Sequence, residues 1–300
     1  MISRTAVASL DIPGSRRLFD YLELTKPRVV MMVLVTTFVG FYLGAAGPPD
    51  WLTLLHTLAS TGVAAAGTLA LNQYLERDLD AIMLRTRMRP IPDGRVTPGD
   101  ALRFGTLVAS AGIAYQSLVV GPLAAAVTAA TTVSYLFLYT PMKRRTPFCS
   151  VMGAIPGALP PVTGWAAARG AIGLEACVLF AILFLWQIPH SLAIARLYRD
   201  DYARAGIRVL PVIDPESSST ERQILVNTVA LLTVALLPAL LGIAGPAYFV
   251  AAFVLGLGLI GSSVRLVRSR SLADARRLLY ATLIYLPLLL GVMALDKVTF

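Results

Sequence analysis

Charge is scarce in this sequence. Only 14% of its 300 residues are Asp, Glu, Lys or Arg, against about 25% in an ordinary soluble domain. Hydrophobic residues make up 56%, and so few charges cannot cover that much apolar surface in water. A soluble enzyme and a disordered chain are excluded, and a polytopic membrane protein is implied. Cysteine is nearly absent. Cys149 and Cys177 lack metal-ligand spacing and read as small apolar filler, which excludes a disulfide scaffold. A cleavable signal peptide is not expected either, because the first 27 positions are polar and mixed in charge. Asp11, Asp20 and Glu23 argue against a mitochondrial transit peptide, and no internal repeat stands out.

What is present is a series of apolar runs. They cover roughly 29–45, 52–74, 104–120, 123–139, 151–168, 172–195, 224–245, 248–264 and 278–295. Most have the length needed to cross about 30 Å of hydrocarbon. The expected fold is an all-α, polytopic membrane helix bundle of about nine transmembrane helices. Residues 1–27 would form a cytoplasmic N-terminal arm and 28–300 a single transmembrane domain. Pro156, Pro160 and Pro161 interrupt the fifth run, which therefore belongs inside the bundle, where neighbours can satisfy its freed backbone groups. The net charge is +9, and of the 26 Lys and Arg residues all but Arg169 and Lys297 fall on one side of this arrangement. That asymmetry puts the N-terminus and the loops after even-numbered runs in the cytoplasm. Cations lying between apolar runs point to membrane orientation and anionic ligands, not to nucleic acid.

Three stretches carry chemistry. In Asn72-Gln-Tyr-Leu-Glu76-Arg77-Asp78-Leu-Asp80, the residues Asn72, Glu76 and Asp80 recur at i, i+4 and i+8. On a continuing helix they share one face over about 12 Å. Such oxygen donors suit Mg²⁺, which is held by a few carboxylates together with substrate phosphates. Arg77, Arg85, Arg87 and Arg89 follow and suit the remaining phosphate charge. The same pattern also describes a solvated, self-neutralising loop. The second stretch, Tyr139-Thr140-Pro-Met-Lys143-Arg144-Arg145-Thr146, fits either phosphate binding or topology anchoring. The third holds Trp186, Gln187, Pro189 and His190 near the end of an apolar run, then Asp200 and Asp201. Polar groups at membrane depth are costly and often functional, although a helix histidine also serves in packing. Asp200 and Asp201 suit either a second metal or a loop cap.

These motifs resemble the UbiA superfamily of intramembrane prenyltransferases, over nearly the whole chain. Asn72…Glu76…Asp80 is similar to its first acidic motif. Within the superfamily the chain resembles the haem-farnesylating branch, through Thr25-Lys26-Pro27-Arg28, Met83-Leu-Arg85-Thr86-Arg87-Met-Arg89-Pro90, Gly157-Ala-Leu-Pro160-Pro161, Trp186-Gln187-Ile-Pro189-His190 and Asp200-Asp201-Tyr202-Ala-Arg-Ala-Gly206. Glu76 replaces a more usual Asp, Ser191 a usual Phe and Cys149 a frequent Asn.

The resemblance implies transfer of a farnesyl group from farnesyl diphosphate to a vinyl group of haem b, with Mg²⁺ as cofactor. Asn72, Glu76, Asp80 and Lys143 would be catalytic. Arg28, Arg77, Arg85, Arg89 and Arg144 would bind diphosphate. Trp186, Gln187 and His190 would bind haem, and Asn72, Glu76, Asp80, Asp200 and Asp201 would hold metal. The expected location is a bacterial inner membrane with the catalytic loops in the cytoplasm, and a downstream haem A synthase is a candidate partner. Two alternatives stand beside this: another UbiA-type aromatic polyprenyltransferase, and an anion-binding transporter. The first would show a second Asp-x-x-x-Asp motif, whereas Asp201 is followed by Arg204 and Ala205. The second would place charges nearer the midplane.

Overall fold

The computed structural model describes residues 13–215 and 218–298. The first twelve positions of the expected arm lie outside the described residues. The chain is almost entirely helical: α1 Pro13–Leu24, α2 Pro27–Gly44, α3 Trp51–Ile82, α4 Pro98–Val119, α5 Pro122–Val133, a π-helical turn Ser134–Tyr139, α6 Thr140–Met142, α7 Cys149–Ala158, α8 Pro160–Arg169, α9 Leu174–Leu197, α10 Arg199–Arg204, α11 Leu210–Ile213, α12 Ser219–Ala235, α13 Leu237–Leu240, α14 Pro246–Ser269 and α15 Leu272–Leu295. No β-strand occurs among the described residues, only one isolated bridge between Ala244 and Lys297.

Local chemistry sets several boundaries. Asp50 caps α3 by accepting from the Leu52 and Thr53 amides at 3.0 and 3.3 Å. Thr97 caps α4, with Pro98 in its first turn, where the missing N–H has no helical partner to lose. Among the described residues, seven helices are long and apolar enough to cross a membrane: Pro27–Gly44, Trp51–Ile82, Pro122–Met142, Leu174–Leu197, Ser219–Leu240, Pro246–Ser269 and Leu272–Leu295. The expected count of about nine is therefore not exact. Two runs differ for stated reasons. The α4 helix carries Arg103 and a buried Gln116. The fifth run is divided into α7 and α8 at Leu159, ahead of Pro160 and Pro161, which cannot donate the backbone bonds of a continuing helix.

The broken pair lies deep in the bundle. Every residue from Pro160 to Ala166 is buried. Its α8 half crosses α2 so closely that a Cβ on Gly40 would lie 2.0 Å from the Pro161 carbonyl oxygen, and one on Gly164 would lie 2.0 Å from that of Thr37. Only glycine permits this approach. The α9 helix runs through the middle of the molecule, touching α7, α8, α12 and α15. At the far end Lys297 donates to the Tyr42 and Ala45 carbonyls at 2.6 and 2.8 Å, which ties the last described segment to the end of α2.

Candidate active site

The long α3 helix continues past its apolar part and carries Asn72, Glu76 and Asp80 on one buried face. Each meets a cation from a different part of the chain. Lys26 donates to Asn72 Oδ1 at 2.8 Å. Lys143 forms an ion pair with Glu76. Arg89 donates to Asp80 Oδ2 at 2.7 Å. The site thus gathers three cations around two carboxylates and an amide. Arg89 returns to α3 because the loop after it folds back, with Thr86 Oγ1 donating to the Asp80 carbonyl at 3.0 Å.

Lys143 is brought in by the π-helical turn Ser134–Tyr139. Such turns re-aim the side chains after them and concentrate at functional sites. Here Thr140 Oγ1 donates to the Tyr135 carbonyl at 2.8 Å and accepts from Asn72 Nδ2 at 3.1 Å. The Lys143 ammonium stands 4.5 Å from the centre of the Tyr139 ring. Beside Tyr135 and Tyr139 opens a largely apolar cavity of about 240 Å³, which runs between α3, α5 and α7 past Val33, Leu69, Thr128 and Pro156. A smaller one of about 70 Å³ lies against Lys143, Cys149 and Tyr202. Tyr139, Gly153 and Gln187 line both. Gln187 reaches that position because Gly157 leaves room; a Cβ there would be 1.8 Å from its Oε1.

Lys26 was not among the candidate residues, although it stands within the Thr25–Arg28 segment. A residue before proline ordinarily takes extended backbone, yet Lys26 is left-handed, with φ 49° and ψ 66°. That strained conformation turns its ammonium into the site. Burial, then the charges of Arg89 and Lys143, pull its pKa down to about 7. The cations crowd one another, and a polyanion would relieve that repulsion.

Other expected residues lie elsewhere. Arg77 points to the Tyr74 ring and carbonyl. Arg85 is exposed, 5.2 Å from the Tyr198 ring centre. Arg28 and Arg144 are exposed on the same end of the bundle. Trp186 and His190 stack at 4.8 Å and face α15, where Trp186 Nε1 donates to the Thr282 carbonyl at 2.8 Å and His190 Nδ1 meets Thr282 Oγ1 at 2.9 Å. His56 is on the other end of α3, paired with Tyr115. Asp200 is exposed beside Arg199. Asp201 is buried and turned to backbone: it accepts from the Leu84 and Arg85 amides at 3.1 and 3.3 Å and pairs with Arg204. The structure therefore does not bring Asp200 and Asp201 to the Asn72–Asp80 face as metal ligands. Arg204's hydrogen bond, then the two amides, hold the Asp201 carboxyl below the usual carboxylate range despite its desolvation.

The donor set can be tested for Mg²⁺. Among the described residues no group of three or more His, Cys, Asp or Glu side chains is arranged to hold a metal. Asp80 Oδ1 is nevertheless buried without a hydrogen-bond partner, which is costly unless something else satisfies it. Two buried carboxylates and an amide oxygen on one helix face are hard donors, and they fit an ion that takes its remaining ligands from a phosphate.

Residues 33–287 match the UbiA prenyltransferase family, and the chain belongs to that family of enzymes. Within it the chain is similar to a protoheme IX farnesyltransferase of Solibacter usitatus (strain Ellin6076), 50% identical over 93% of this chain and 98% of the relative. It is also similar to one of Aquifex aeolicus (strain VF5), 39% identical over 95% and 97%. Among solved structures, a digeranylgeranylglyceryl phosphate synthase superposes with a TM-score of 0.79 at 17% identity, over 93% of this chain and 98% of that one. A UbiA homolog from Archaeoglobus fulgidus bound to GPP and Mg²⁺ superposes with a TM-score of 0.63 at 16% identity, over 91% and 99%. The chain is thus an integral membrane prenyltransferase with the UbiA fold.

Proposed function

We propose that this enzyme transfers the farnesyl group of farnesyl diphosphate to a vinyl group of haem b, with addition of water, to give haem O for terminal oxidase biogenesis. The relatives named above support the choice of substrates. The observation that carries the reading is the three-cation, two-carboxylate cluster, which meets the apolar cavity through Tyr135 and Tyr139.

In this reading Asn72, Glu76 and Asp80 hold Mg²⁺, which supplies Lewis-acid stabilisation of the leaving diphosphate. Lys26, Lys143 and Arg89 bind the diphosphate oxygens and stabilise their growing charge as the allylic C–O bond breaks. Arg28, Arg77, Arg85 and Arg144 add positive potential around the opening. Tyr135, Tyr139 and the cavity beyond them shield the farnesyl cation from bulk water. The outer vinyl carbon bonds to farnesyl C1, a water oxygen adds to the inner vinyl carbon, and that water's proton is lost. His190, Trp186 and Gln187 hold the haem. Residues 28–300 work as one domain in a bacterial inner membrane, with the site on the cytoplasmic side and a haem A synthase receiving the product.

The test is direct. Membranes containing the enzyme, given farnesyl diphosphate, haem b and Mg²⁺, should form haem O by mass spectrometry. Glu76→Gln and Asp80→Asn should each lower turnover by about 100-fold or more, the scale of a lost metal-charge term. Near-normal haem O formation by both variants would remove the metal assignment, and none by the wild type would remove the function.

A further inference from the structure

The loop 198–213 has no part in the cluster just described, yet it touches the segments that carry two of its three cations, Arg89 and Lys143. Its Asp201 accepts the amide protons of Leu84 and Arg85 at 3.1 and 3.3 Å. These are the first residues after the extended C-cap Met83, where α3 gives way to the loop that carries Arg89. Seven residues further along the same loop, the Arg208 amide donates to the Lys143 carbonyl at 2.8 Å. Beneath these polar contacts Met83 and Leu79 pack with Ala205, Ile207 and Val209. Above them Arg85 lies on the Tyr198 ring.

We propose that Asp201 is a positioning residue. It latches the 83–97 loop, and so sets Arg89 on the Asn72–Asp80 face, and it is not a metal ligand. This rests on the prenyl-diphosphate reading of the site. Three features carry it. Both Asp201 oxygens are engaged, one on each amide, with Arg204 on the first. A carboxylate bound this way has little capacity left for an ion. The neighbouring Asp200 has a side chain 85% exposed, so the two acids are not equivalent. Arg89 can hold Asp80 only if its loop turns back sharply after α3, and the two amides at that turn are the ones Asp201 takes. A loop left to itself spreads over many conformations, and fixing its first turn removes most of them.

The comparison is between Asp201→Ala, Asp201→Asn and Asp200→Ala in the full-length enzyme in membranes. Three quantities are read: trypsin cleavage after Arg85 and Arg87, KM for farnesyl diphosphate, and the Mg²⁺ concentration giving half-maximal rate. Asp201→Ala should speed cleavage and raise KM for farnesyl diphosphate about tenfold, as expected for losing two charge-assisted hydrogen bonds. Half-saturating Mg²⁺ should stay within about twofold, since no metal ligand is lost. Asp201→Asn keeps one acceptor and should fall between it and the wild type; it carries the test if the alanine variant does not accumulate. Asp200→Ala should match the wild type. A large rise in half-saturating Mg²⁺ with unchanged cleavage would make Asp201 a metal ligand and overturn the latch. Unchanged cleavage and KM in both Asp201 variants would overturn it equally. The cleavage measurement needs no turnover, so it decides the latch even if no haem O is formed.

Discussion

Thr282 decides which nitrogen of His190 is free. Its hydroxyl has one proton, and that proton goes to the Leu279 carbonyl at 2.7 Å. Thr282 Oγ1 must then accept from His190 Nδ1, so Nδ1 carries the hydrogen and Nε2 keeps its lone pair. Neutral imidazole with Nε2 available is the form that ligates haem iron, and a partner on the other nitrogen fixes ring and tautomer. The expected outcome is that His190→Ala shifts the Soret band of bound haem. Thr282→Val should weaken haem binding about tenfold, the lower end for loss of such a supporting bond. Farnesyl diphosphate affinity should stay unchanged in both, and His56→Ala should change neither. Absorption titrations with haem check this, and an unaltered spectrum in His190→Ala would leave the histidine a packing residue against α15.

At the scale of elements, the site depends on two irregularities. One is the π-helical turn before Thr140; the other is the break between α7 and α8. The break lets α8 turn its Gly164 against α2 while α7 offers Gly153 and Gly157 to the cavities. A methyl group on Gly164 would meet backbone on α2, not a side chain that can swing aside. Gly164→Ala should therefore destabilise the enzyme by about 1–3 kcal/mol, the usual range for overpacking. Gly47, with open space around its Cβ position, should tolerate alanine. Thermal denaturation in detergent measures both; equal midpoints for Gly164→Ala and wild type would mean that α2 and α8 separate freely. The prolines that make the break are visible in the sequence, and so is the deep position of the segment. The π-helical turn is not, because Ser134-Tyr-Leu-Phe-Leu-Tyr139 has the composition of any membrane helix.

For the molecule as a whole, charge gives direction. Among the described residues, the cations other than Arg169 and Lys297 fall at the end of the bundle that carries the site or in the α1 segment leading to it. Both exceptions lie at the opposite end, Arg169 near the Trp165 ring and Lys297 on the end of α2. Reporter fusions after Arg103, Arg145, Arg222 and Arg277 should all read cytoplasmic. One reading on the other side would break this topology. The same segregation sets the cations of the proposed diphosphate site at one end of the bundle, next to the apolar cavity that Tyr135 and Tyr139 line.

The sequence by itself determined the all-helical membrane class, the gathering of cations between apolar runs, and the Asn72, Glu76 and Asp80 face. These are properties of composition and of a 3.6-residue period, and each depends on residues near one another in the chain. Lys143, Arg89 and Gln187 were also singled out by the motifs that hold them, and the structure brings the first two to that face and the third to the cavities. Only the tertiary structure decided what those residues touch. Lys26 reaches Asn72 across 46 positions and Lys143 reaches Glu76 across 67, and no local pattern records a contact of that range. The structure also separated Asp201 from Asp200, adjacent and chemically alike in the sequence. One side chain is folded under a loop and spends its oxygens on backbone amides, while the other stays in water. That difference is made by packing, since it depends on where the 83–97 loop lies against 198–213.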